Sequence, residues 1–488
     1  MKRIAYYIMP LLAVVVLATA CDDEDYRNPS GVVNSYVSEH LDLLTLSELG
    51  WRFDYSPNEE YYGVYTFLMD FHENGRVTMQ TDMDFFYQSA TGEELQRNYE
   101  PQESDYTIQN VEGPVLTFAT YSLLTKLADP DLNVAGSGWN GDNDFIIMGH
   151  SATNDTIYLK SLKAQKHCFL VKNTEEWDSY FEGMNKVIEK FAAVTVENTY
   201  FRDLEIEGCD AAVMTECDMA TRMGIVYQNK NGQMVADTCR LRFTSNEVLL
   251  EEPLLIGNVE VTHFTNRDDI DAFLVNGMEG STLKVIEGGR PKMVFDVRGK
   301  VFRKVYEEVI DGVSIEREDM YQFMSHPKES NDEWNALSLK INKDDYQYML
   351  LAPLVVDDKG TYEYFFQLYV TLSDDKGQRH SVVAMCQINQ EWIENADDEI
   401  RFRGVKLDRL IYFGMDSEDG EWNLNTPLSK KLQENIETEF LNYLGSIFGA
   451  SERYLDRVEC VVVPSIDGNY FNFVNKKTGG IIQLMKAY

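Results

Sequence analysis

The chain has 488 residues, and its 81 acidic side chains outnumber 44 basic ones, which gives a formal net charge of −37 at pH 7. A chain this acidic has no general basic field with which to bind nucleic acid, and anionic membrane surfaces repel it. Because 44% of the residues are hydrophobic, global disorder is excluded. The length indicates about three domains.

The N-terminus has the pattern of a secretory signal peptide. A basic start, Lys2-Arg3, precedes an apolar run over residues 4–20 that is too short to span a bilayer, which needs about 20 residues. The run ends in "ATAC", which resembles a bacterial lipobox. That resemblance implies that residues 1–20 are removed and that Cys21 is lipidated. The alternative is an ordinary signal peptide cleaved before the cysteine.

Four acids at positions 22–25 open a predicted tether over residues 21–30. They resemble the acidic export signal of Bacteroidetes surface lipoproteins, and the alternative is a solvated spacer. Acids bring no attraction to lipid headgroups, so the acyl chains on Cys21 are the expected anchor. A single acyl chain binds a membrane only marginally, at about 0.8 kcal/mol per buried methylene, whereas two or three acyl chains bind it firmly. The expected location is the outer membrane, facing the cell exterior.

The next segment, 31–193, is predicted to be a first domain. Apolar residues recur at spacings of three and four before Gly50, which predicts a helix over residues 31–49 with Gly50 as its cap. Alternating strands follow, with a tight turn at Asn74-Gly75. A second helix is predicted from Glu175, with Thr174 as its N-cap. The expected fold is an antiparallel meander or small barrel bracketed by helices.

The remaining chain is predicted as a second β-rich region over 194–290 and an α+β domain over 291–488. Asn231-Gly232 marks a further hairpin, and a long hairpin is expected around residues 375–377. Thr426 caps the clearest predicted helix. The fold class is therefore mostly β with flanking helices (α+β).

Six cysteines remain besides Cys21, which is too few for a disulfide scaffold in so long a chain. Cys209, Cys217 and Cys239 lie close enough in sequence for one bridge in an exported protein, with the pairing left open. No CxxC is present, and the seven histidines are scattered. The sequence therefore predicts no metal site and no cofactor.

Two motifs resemble catalytic signatures and are rejected on context. "GSGWNG", residues 136–141, matches a phosphate-binding fingerprint but is followed by a strand instead of a helix. "GHSAT", residues 149–153, lacks the last glycine of a nucleophile elbow and the helix that must follow it. Ser151 and His150 are predicted to lie in a hairpin turn.

Two aromatic groups stand in polar surroundings, as sugar-stacking platforms do. One is a Gly/Asn/Asp-rich loop around a tryptophan, and the other is an aromatic triplet between polar stretches. The alternative for both is packing at the edge of a core. The candidate ligand-binding residues are Trp139, Asn140, Asp142, Asn143, Phe85, Phe86 and Tyr87.

Several segments, in order, carry a family resemblance. With the lipobox, "YTFLMDFHENGRVTM", "GPVLTFATYSLL", "DFIIMGHSATNDTIYLKSLK" and "EEWDSYFEGMNKV" resemble a Bacteroidetes lipoprotein family catalogued only as a domain of unknown function. The resemblance is good from residue 1 to about 195 and thinner afterwards. Members are often encoded near outer-membrane uptake operons of the starch-utilisation type. The resemblance implies outer-membrane uptake proteins as partners and supplies no catalytic residues.

The expected function is a non-enzymatic ligand-binding or accessory module that captures nutrients, with a glycan as the favoured ligand. One alternative is a carboxylate-dependent hydrolase, although 81 acids give no means of choosing a catalytic pair from sequence. The other is a structural subunit of an outer-membrane complex.

Overall fold

In the computed structural model of the protein, the chain divides into two compact units, Met1–Gly183 and Met184–Tyr488. The predicted domain boundaries at residues 193 and 290 stay predictions. The residues that the structure describes are 38–60, 62–83, 101–110, 113–119, 122–129, 139–192, 200–218, 221–286, 289–310, 313–320, 323–324, 346–355, 362–373, 379–393, 396–403, 411–414 and 458–486.

The first unit is built around a closed antiparallel barrel of eight strands, barrel 1. Each strand pairs with the next along the chain, and the last pairs with the first, with Trp51 opposite Lys172. This confirms the predicted mostly β fold and, within it, the small barrel. The strands are β1 Trp51–Tyr55, β2 Tyr65–Phe71, β3 Arg76–Thr81, β4 Gln102–Asn110, β5 Pro114–Phe118, β6 Asp144–His150, β7 Thr156–Ser161 and β8 His167–Lys172.

Side chains fill the interior of barrel 1. In β1, Trp51, Phe53 and Tyr55 are buried and alternate with half-buried polar residues, because successive side chains of a strand point to opposite faces. The rings of Phe53, Tyr55 and Phe145 lie 5.3–5.8 Å apart. An eight-stranded barrel is just wide enough for such side chains to fill it, so its interior is a packed core.

The helix before barrel 1, α1 (residues 38–45 in the described part), ends earlier than predicted. The sequence pattern extended it to residue 49, but the Thr45 hydroxyl donates to Leu41 O and the Trp51 indole Nε1 donates to Leu44 O at 2.8 Å. These side chains occupy carbonyls at the end of the helix. Gly50, with φ +73°, follows the intervening turn and leads into β1.

The two Asn-Gly turns take different forms. At Asn231-Gly232 both residues have positive φ, +54° and +77°, as a two-residue type I′ hairpin requires. At Asn74-Gly75 only Gly75 has positive φ, and the His72 amide donates to Arg76 O across a three-residue loop. Both predicted hairpins are confirmed, and the loop at Asn74-Gly75 is one residue longer than the dipeptide indicates.

The helix α2 (Trp177–Ala192) begins two residues later than predicted. The predicted N-cap Thr174 is wrong, because the Asn173 side-chain oxygen instead accepts the backbone N–H groups of Thr174 and Glu175, at 3.0 and 3.4 Å. Asn173 therefore stabilises the turn that leads into the helix. Among the described residues, no helix is long and apolar enough to cross a membrane.

The second unit contains another closed antiparallel barrel of eight strands, barrel 2, in which the first strand pairs with both the second and the last. The order of helix followed by eight-stranded barrel thus occurs twice in the chain. The strands are β9 Arg202–Glu205, β10 Ala212–Asp218, β11 Met223–Lys230, β12 Gln233–Phe243, β13 Glu247–Ile256, β14 Val259–Asn266, β15 Phe273–Val275 and β16 Thr282–Val285.

The same helix-to-barrel contact recurs in both units. Trp51, the first residue of β1, donates to Leu44 O near the end of α1. Arg202, the first residue of β9, donates to Phe191 O near the end of α2 from Nε at 3.0 Å and Nη2 at 2.8 Å. Each bond pairs a helix-terminal carbonyl that has no partner within the helix. A buried side chain thereby ties each helix to the start of its barrel.

A short helix, α3 (Arg298–Val301), and a nine-stranded sheet follow barrel 2. The long hairpin is confirmed in its strands, with Ser373 opposite Arg379, whereas the helix predicted after Thr426 lies outside the described residues. The strands are β17 Phe302–Ile310 and β18 Val313–Met320, which pair with each other, then β19 Phe323–Met324, β20 Tyr346–Val355, β21 Tyr362–Ser373, β22 Arg379–Trp392, β23 Glu399–Arg403, β24 Ile411–Gly414, β25 Val458–Pro464, β26 Tyr470–Asn475 and β27 Ile481–Lys486.

Candidate functional site

The predicted site residues fall in two groups. Cys21 and the triplet Phe85, Phe86 and Tyr87 lie outside the described residues, so their assigned roles stay predictions. The second group, residues 139–143, is described and lies beside barrel 1.

Trp139 packs against the core of barrel 1. Its ring stacks on Tyr62 with centroids 5.0 Å apart and planes 9° apart, and Tyr65 lies at 5.7 Å. The side chain is half-buried, and its backbone N–H donates to Leu127 O at 2.9 Å. Tyr62 occupies one ring face, so Trp139 has a packing role, and a further contact with a ligand stays a prediction.

The polar neighbours of Trp139 do not share one surface. Asp142 is buried; its N–H donates to the Tyr55 hydroxyl at 3.0 Å, and its Oδ2 accepts the Ala164 N–H at 3.0 Å. Asn143 is half-buried, and only Asn140, with φ +61°, is exposed. Asp142 thus connects the loop to the barrel interior, and burial raises the pKa of Tyr55 above its usual value.

Gly141, the last glycine of "GSGWNG", has a packing role. A Cβ at this position would lie 2.6 Å from Leu127 Cβ, and the Gly141 N–H donates to Leu127 O at 3.1 Å. Leu127 belongs to a short 3-10 helix, Leu124–Ala128. The glycine allows the loop to approach that helix closely, which is a packing role and needs no phosphate.

The turn predicted at "GHSAT" is confirmed for Ser151, whereas His150 is the last residue of β6 and is paired with Ile157. The Ser151 hydroxyl donates to Asp155 Oδ1 at 2.6 Å, and Thr153 donates to Asp155 Oδ2 at 2.6 Å. These hydroxyls, Ser151 first, together with Thr156, lower the pKa of Asp155 to about 2. The Ser151 proton is directed at a carboxylate that stays ionised at neutral pH, and this arrangement stabilises a turn.

The strongest surface feature of barrel 1 lies on the outer side of β6, β7 and β8. Met148, Tyr158 and Phe169 are 56%, 40% and 47% exposed. Tyr158 is paired with Phe169 across β7 and β8, with centroids 6.0 Å apart and rings at 88°. A register shift between Ile147 and Gly149 sets Met148 and Gly149 against Tyr158. We name Met148, Tyr158 and Phe169 the β6–β8 platform.

The platform continues along β7 with polar groups beside it. Alternation places Tyr158 and Lys160 on the outer face, while Ile157, Leu159 and Ser161 are buried. Lys160 is paired with His167 of β8. Leu162, just after β7, is 44% exposed. Contiguous exposed apolar side chains with a polar rim are typical of interaction sites.

The sequence contains a signal for this platform in the two segments that form β7 and β8. Ile157 and Leu159 of β7, and Cys168 and Leu170 of β8, stand two residues apart and are buried, so each strand turns its aromatic residue to the opposite face. Pairing the two segments as a hairpin would have placed Tyr158 beside Phe169.

Among the described residues, a dense charge cluster in the second unit is internally neutralised. Glu399, 4% exposed, accepts from Arg290 Nη1 at 2.5 Å and Lys476 Nζ at 2.7 Å. Lys476 and Arg401 also reach Glu459, at 3.2 and 2.7 Å. These ion pairs connect β23 and β25 to Arg290 and Lys476 outside the two strands.

Asp398 belongs to the same cluster. It is fully buried, its Oδ2 accepts the Phe295 N–H at 2.9 Å, and Arg290 Nη2 lies 3.3 Å from its Oδ1. Burial raises the pKa of this carboxyl despite both contacts. Within the described part of the chain, no group of three or more His, Cys, Asp or Glu residues could hold a metal ion.

Fold and surface together define a strand-rich protein with two successive up-and-down barrels and an exposed aromatic platform on the first. Residues 26–268 match the model of a family described as "Domain of unknown function (DUF4302)". The family match agrees with the resemblance found in the sequence up to about residue 195. It also extends beyond that point, through β14 of barrel 2. The Bacteroidetes origin and the uptake-operon setting stay predictions.

The other comparisons contribute no functional assignment. No curated protein matches the chain. A solved structure titled "Crystal structure of P47 of Clostridium botulinum E1" aligns over 93% of this chain and 96% of its own at 10% identity. Its TM-score of 0.13 is too low for an argument about fold.

Proposed function

We propose that this protein is a cell-surface lipoprotein, anchored in the outer membrane through acyl chains on Cys21, that binds a glycan without cleaving it. The observation that carries the proposal is the β6–β8 platform, since Met148, Tyr158 and Phe169 are exposed together on one face of barrel 1. In this role the protein presents captured glycan to neighbouring outer-membrane uptake proteins.

A glycan fits the chemistry of the platform. Sugar rings present an apolar C–H surface that packs on aromatic side chains, while their hydroxyls need hydrogen-bonding partners close by. Tyr158 and Phe169 supply the rings, and Lys160 with His167 supplies polar groups on the adjoining pair of β7 and β8. A neutral ligand also avoids the repulsion that a polyanion meets from a net charge of −37.

Binding is favoured over hydrolysis by what surrounds the candidate catalytic groups. Barrel 1 is packed with side chains, Ser151 is bonded to Asp155, and Glu399 and Glu459 are bridged by cations. A carboxylate-dependent hydrolase and a structural subunit are the alternatives. Release of reducing ends from a bound glycan would favour the first, and a stable membrane complex without glycan binding would favour the second.

Replacing Cys21 by alanine is expected to abolish lipid anchoring, because the acyl chains attach to its thiol. The variant should leave the detergent phase of a Triton X-114 separation and accumulate as precursor or soluble protein. As a control, neutral residues at positions 22–25 should keep the anchor and reduce cleavage by external protease. Detergent partitioning of the Cys21→Ala protein equal to the parent would contradict the lipid anchor.

A further inference from the structure

The hairpin formed by β7 and β8 differs in charge from the rest of the chain. Residues 156–172 contain four lysines and one histidine but no Asp or Glu, although the whole chain carries 81 acids and a net charge of −37. Two of these basic residues, Lys160 and His167, are directly opposite each other in the pairing of β7 with β8. The hairpin is therefore a basic segment of an acidic protein.

Lys160 and His167 lie on the face that carries the platform aromatics. Lys160 follows Tyr158 by two residues in β7, and the two therefore share one side of the strand. His167 likewise precedes Phe169 by two residues in β8, and it is exposed, whereas Lys160 is half-buried. Two residues of a strand span about 6.6–6.8 Å. The basic pair thus continues the aromatic pair along the hairpin, at a distance comparable to the size of one sugar ring.

Among the described residues, no carboxylate forms an ion pair with Lys160 or His167. The cross-strand neighbours of Lys160 are Ile146 on β6 and His167 on β8. Asp144, which lies diagonally across β6, accepts the Thr117 hydroxyl at 2.7 Å. Because its charge is not neutralised by a protein acid, the Lys160 ammonium can attract an anionic group of a ligand.

We propose that the β6–β8 platform recognises a glycan that carries one isolated carboxylate, as a chain with a single acidic sugar does. This inference rests on the proposed glycan binding and names the class of glycan. A neutral sugar packs on the aromatic rings, and the carboxylate of its neighbour accepts hydrogen bonds from Lys160 and His167. An ammonium group has three N–H donors and a histidine ring has at least one. Hydrogen bonds to an ionised acceptor are shorter and stronger than those between neutral groups.

An isolated carboxylate suits the charge distribution better than a polyanion does. The net charge of −37 repels a ligand that is negative along its whole length, whereas one carboxylate at the platform is closest to the acid-free hairpin. Exposed charges further away than the Debye length, about 8 Å at physiological ionic strength, are largely screened. An anionic lipid surface, like a polyanion, would face many of the acids at once.

The test compares acidic glycans with their own methyl esters, which keep the sugars and remove the negative charge. Isothermal titration calorimetry uses the full-length protein in detergent with sialyllactose and with a glucuronoxylan oligosaccharide that carries a single glucuronate. We expect the parent to bind at least one acid about tenfold more tightly than its ester, as hydrogen bonds to a charged group imply. Lys160→Met removes the charge at similar side-chain length and should abolish most of this preference. Lys230→Met, at an exposed lysine of β11 in barrel 2, is the matched control and should retain it.

Two results would overturn the inference and leave the proposed function intact. One is equal affinity of the parent for each acid and its ester, with binding of both lost in the Tyr158→Ala/Phe169→Ala protein. The other is a preference for the acid that survives in a Lys160→Met/His167→Gln protein with a parent-like melting temperature. Binding to phosphatidylglycerol vesicles but to none of the acids or esters would also overturn the inference. The proposed function fails with it only if neutral glycans remain unbound as well.

Discussion

Trp51→Ala is expected to lower the free energy of unfolding of the first unit by roughly 3–5 kcal/mol, the range for removing a buried tryptophan from a core. Trp51 is fully buried at the start of β1 and also supplies the indole N–H bonded to Leu44 O at 2.8 Å. The substitution therefore leaves a cavity in barrel 1 and an unpaired carbonyl at the end of α1.

Trp51→Phe separates these two effects. Phenylalanine keeps most of the apolar contact and removes the N–H donor, so we expect a loss of about 1–3 kcal/mol from the unpaired buried carbonyl. Urea unfolding of the full chain, with hydrogen exchange followed in β1–β8, measures both variants. A Trp51→Ala protein within 1 kcal/mol of the parent would show that this contact does not hold α1 to the barrel.

Gly50→Ala is expected to lower the free energy of unfolding of the first unit by about 2–4 kcal/mol. Gly50 has φ +73°, and an added Cβ would lie 2.5 Å from Met69 O and 3.1 Å from Met69 C. Both contacts are with the backbone of β2, which cannot rotate away as a side chain can. The clash therefore adds to the cost of the left-handed conformation.

Gly75→Ala is the matched control in the same barrel. Gly75 has φ +78°, but the nearest atom to its added Cβ, Tyr106 O, is at an ordinary contact distance of 3.5 Å. The Gly75→Ala substitution should lower the free energy of unfolding only by the cost of the left-handed backbone conformation, about 1–2 kcal/mol. Equal melting temperatures for Gly50→Ala and Gly75→Ala would contradict the steric argument.

Local features of the fold were predictable because their causes are local. Ile157 and Leu159, two residues apart, identify β7, and Asn231-Gly232 supplies the two positive φ values of a type I′ turn. Barrel closure was not determined by such patterns, because it depends on Trp51 meeting Lys172, far along the chain. The end of α1 was missed for the same reason, since the Trp51 indole lies outside the helix that it caps.

In the candidate site, too, contacts between segments distant in sequence decided what the sequence pattern could not. Trp139 was a candidate sugar-stacking residue because its sequence neighbours are polar, with packing at the edge of a core as the alternative, and Tyr62, from a distant segment, stacks on its ring. Tyr158 and Phe169 did not stand out in the sequence because aromatic residues are common in strands. Their exposure depends on which face of the closed barrel each occupies, and that face is fixed only when β6, β7 and β8 are paired in register.

Glycan binding to the full-length protein in detergent, measured on a panel of purified plant and host glycans, tests the proposed function most directly. We expect the parent to bind at least one glycan and the Tyr158→Ala/Phe169→Ala variant to lose about 1–3 kcal/mol of that binding, as aromatic anchors do. Both rings are substantially exposed, so its melting temperature should change little.

Leu255→Ala is the matched control for that measurement, because Leu255 is 50% exposed on β13 of barrel 2, outside the platform. It should bind the same glycan as tightly as the parent. Equal binding by the parent and the doubly substituted platform, or no binding by the parent to any glycan of the panel, would contradict a glycan-binding platform on β6, β7 and β8.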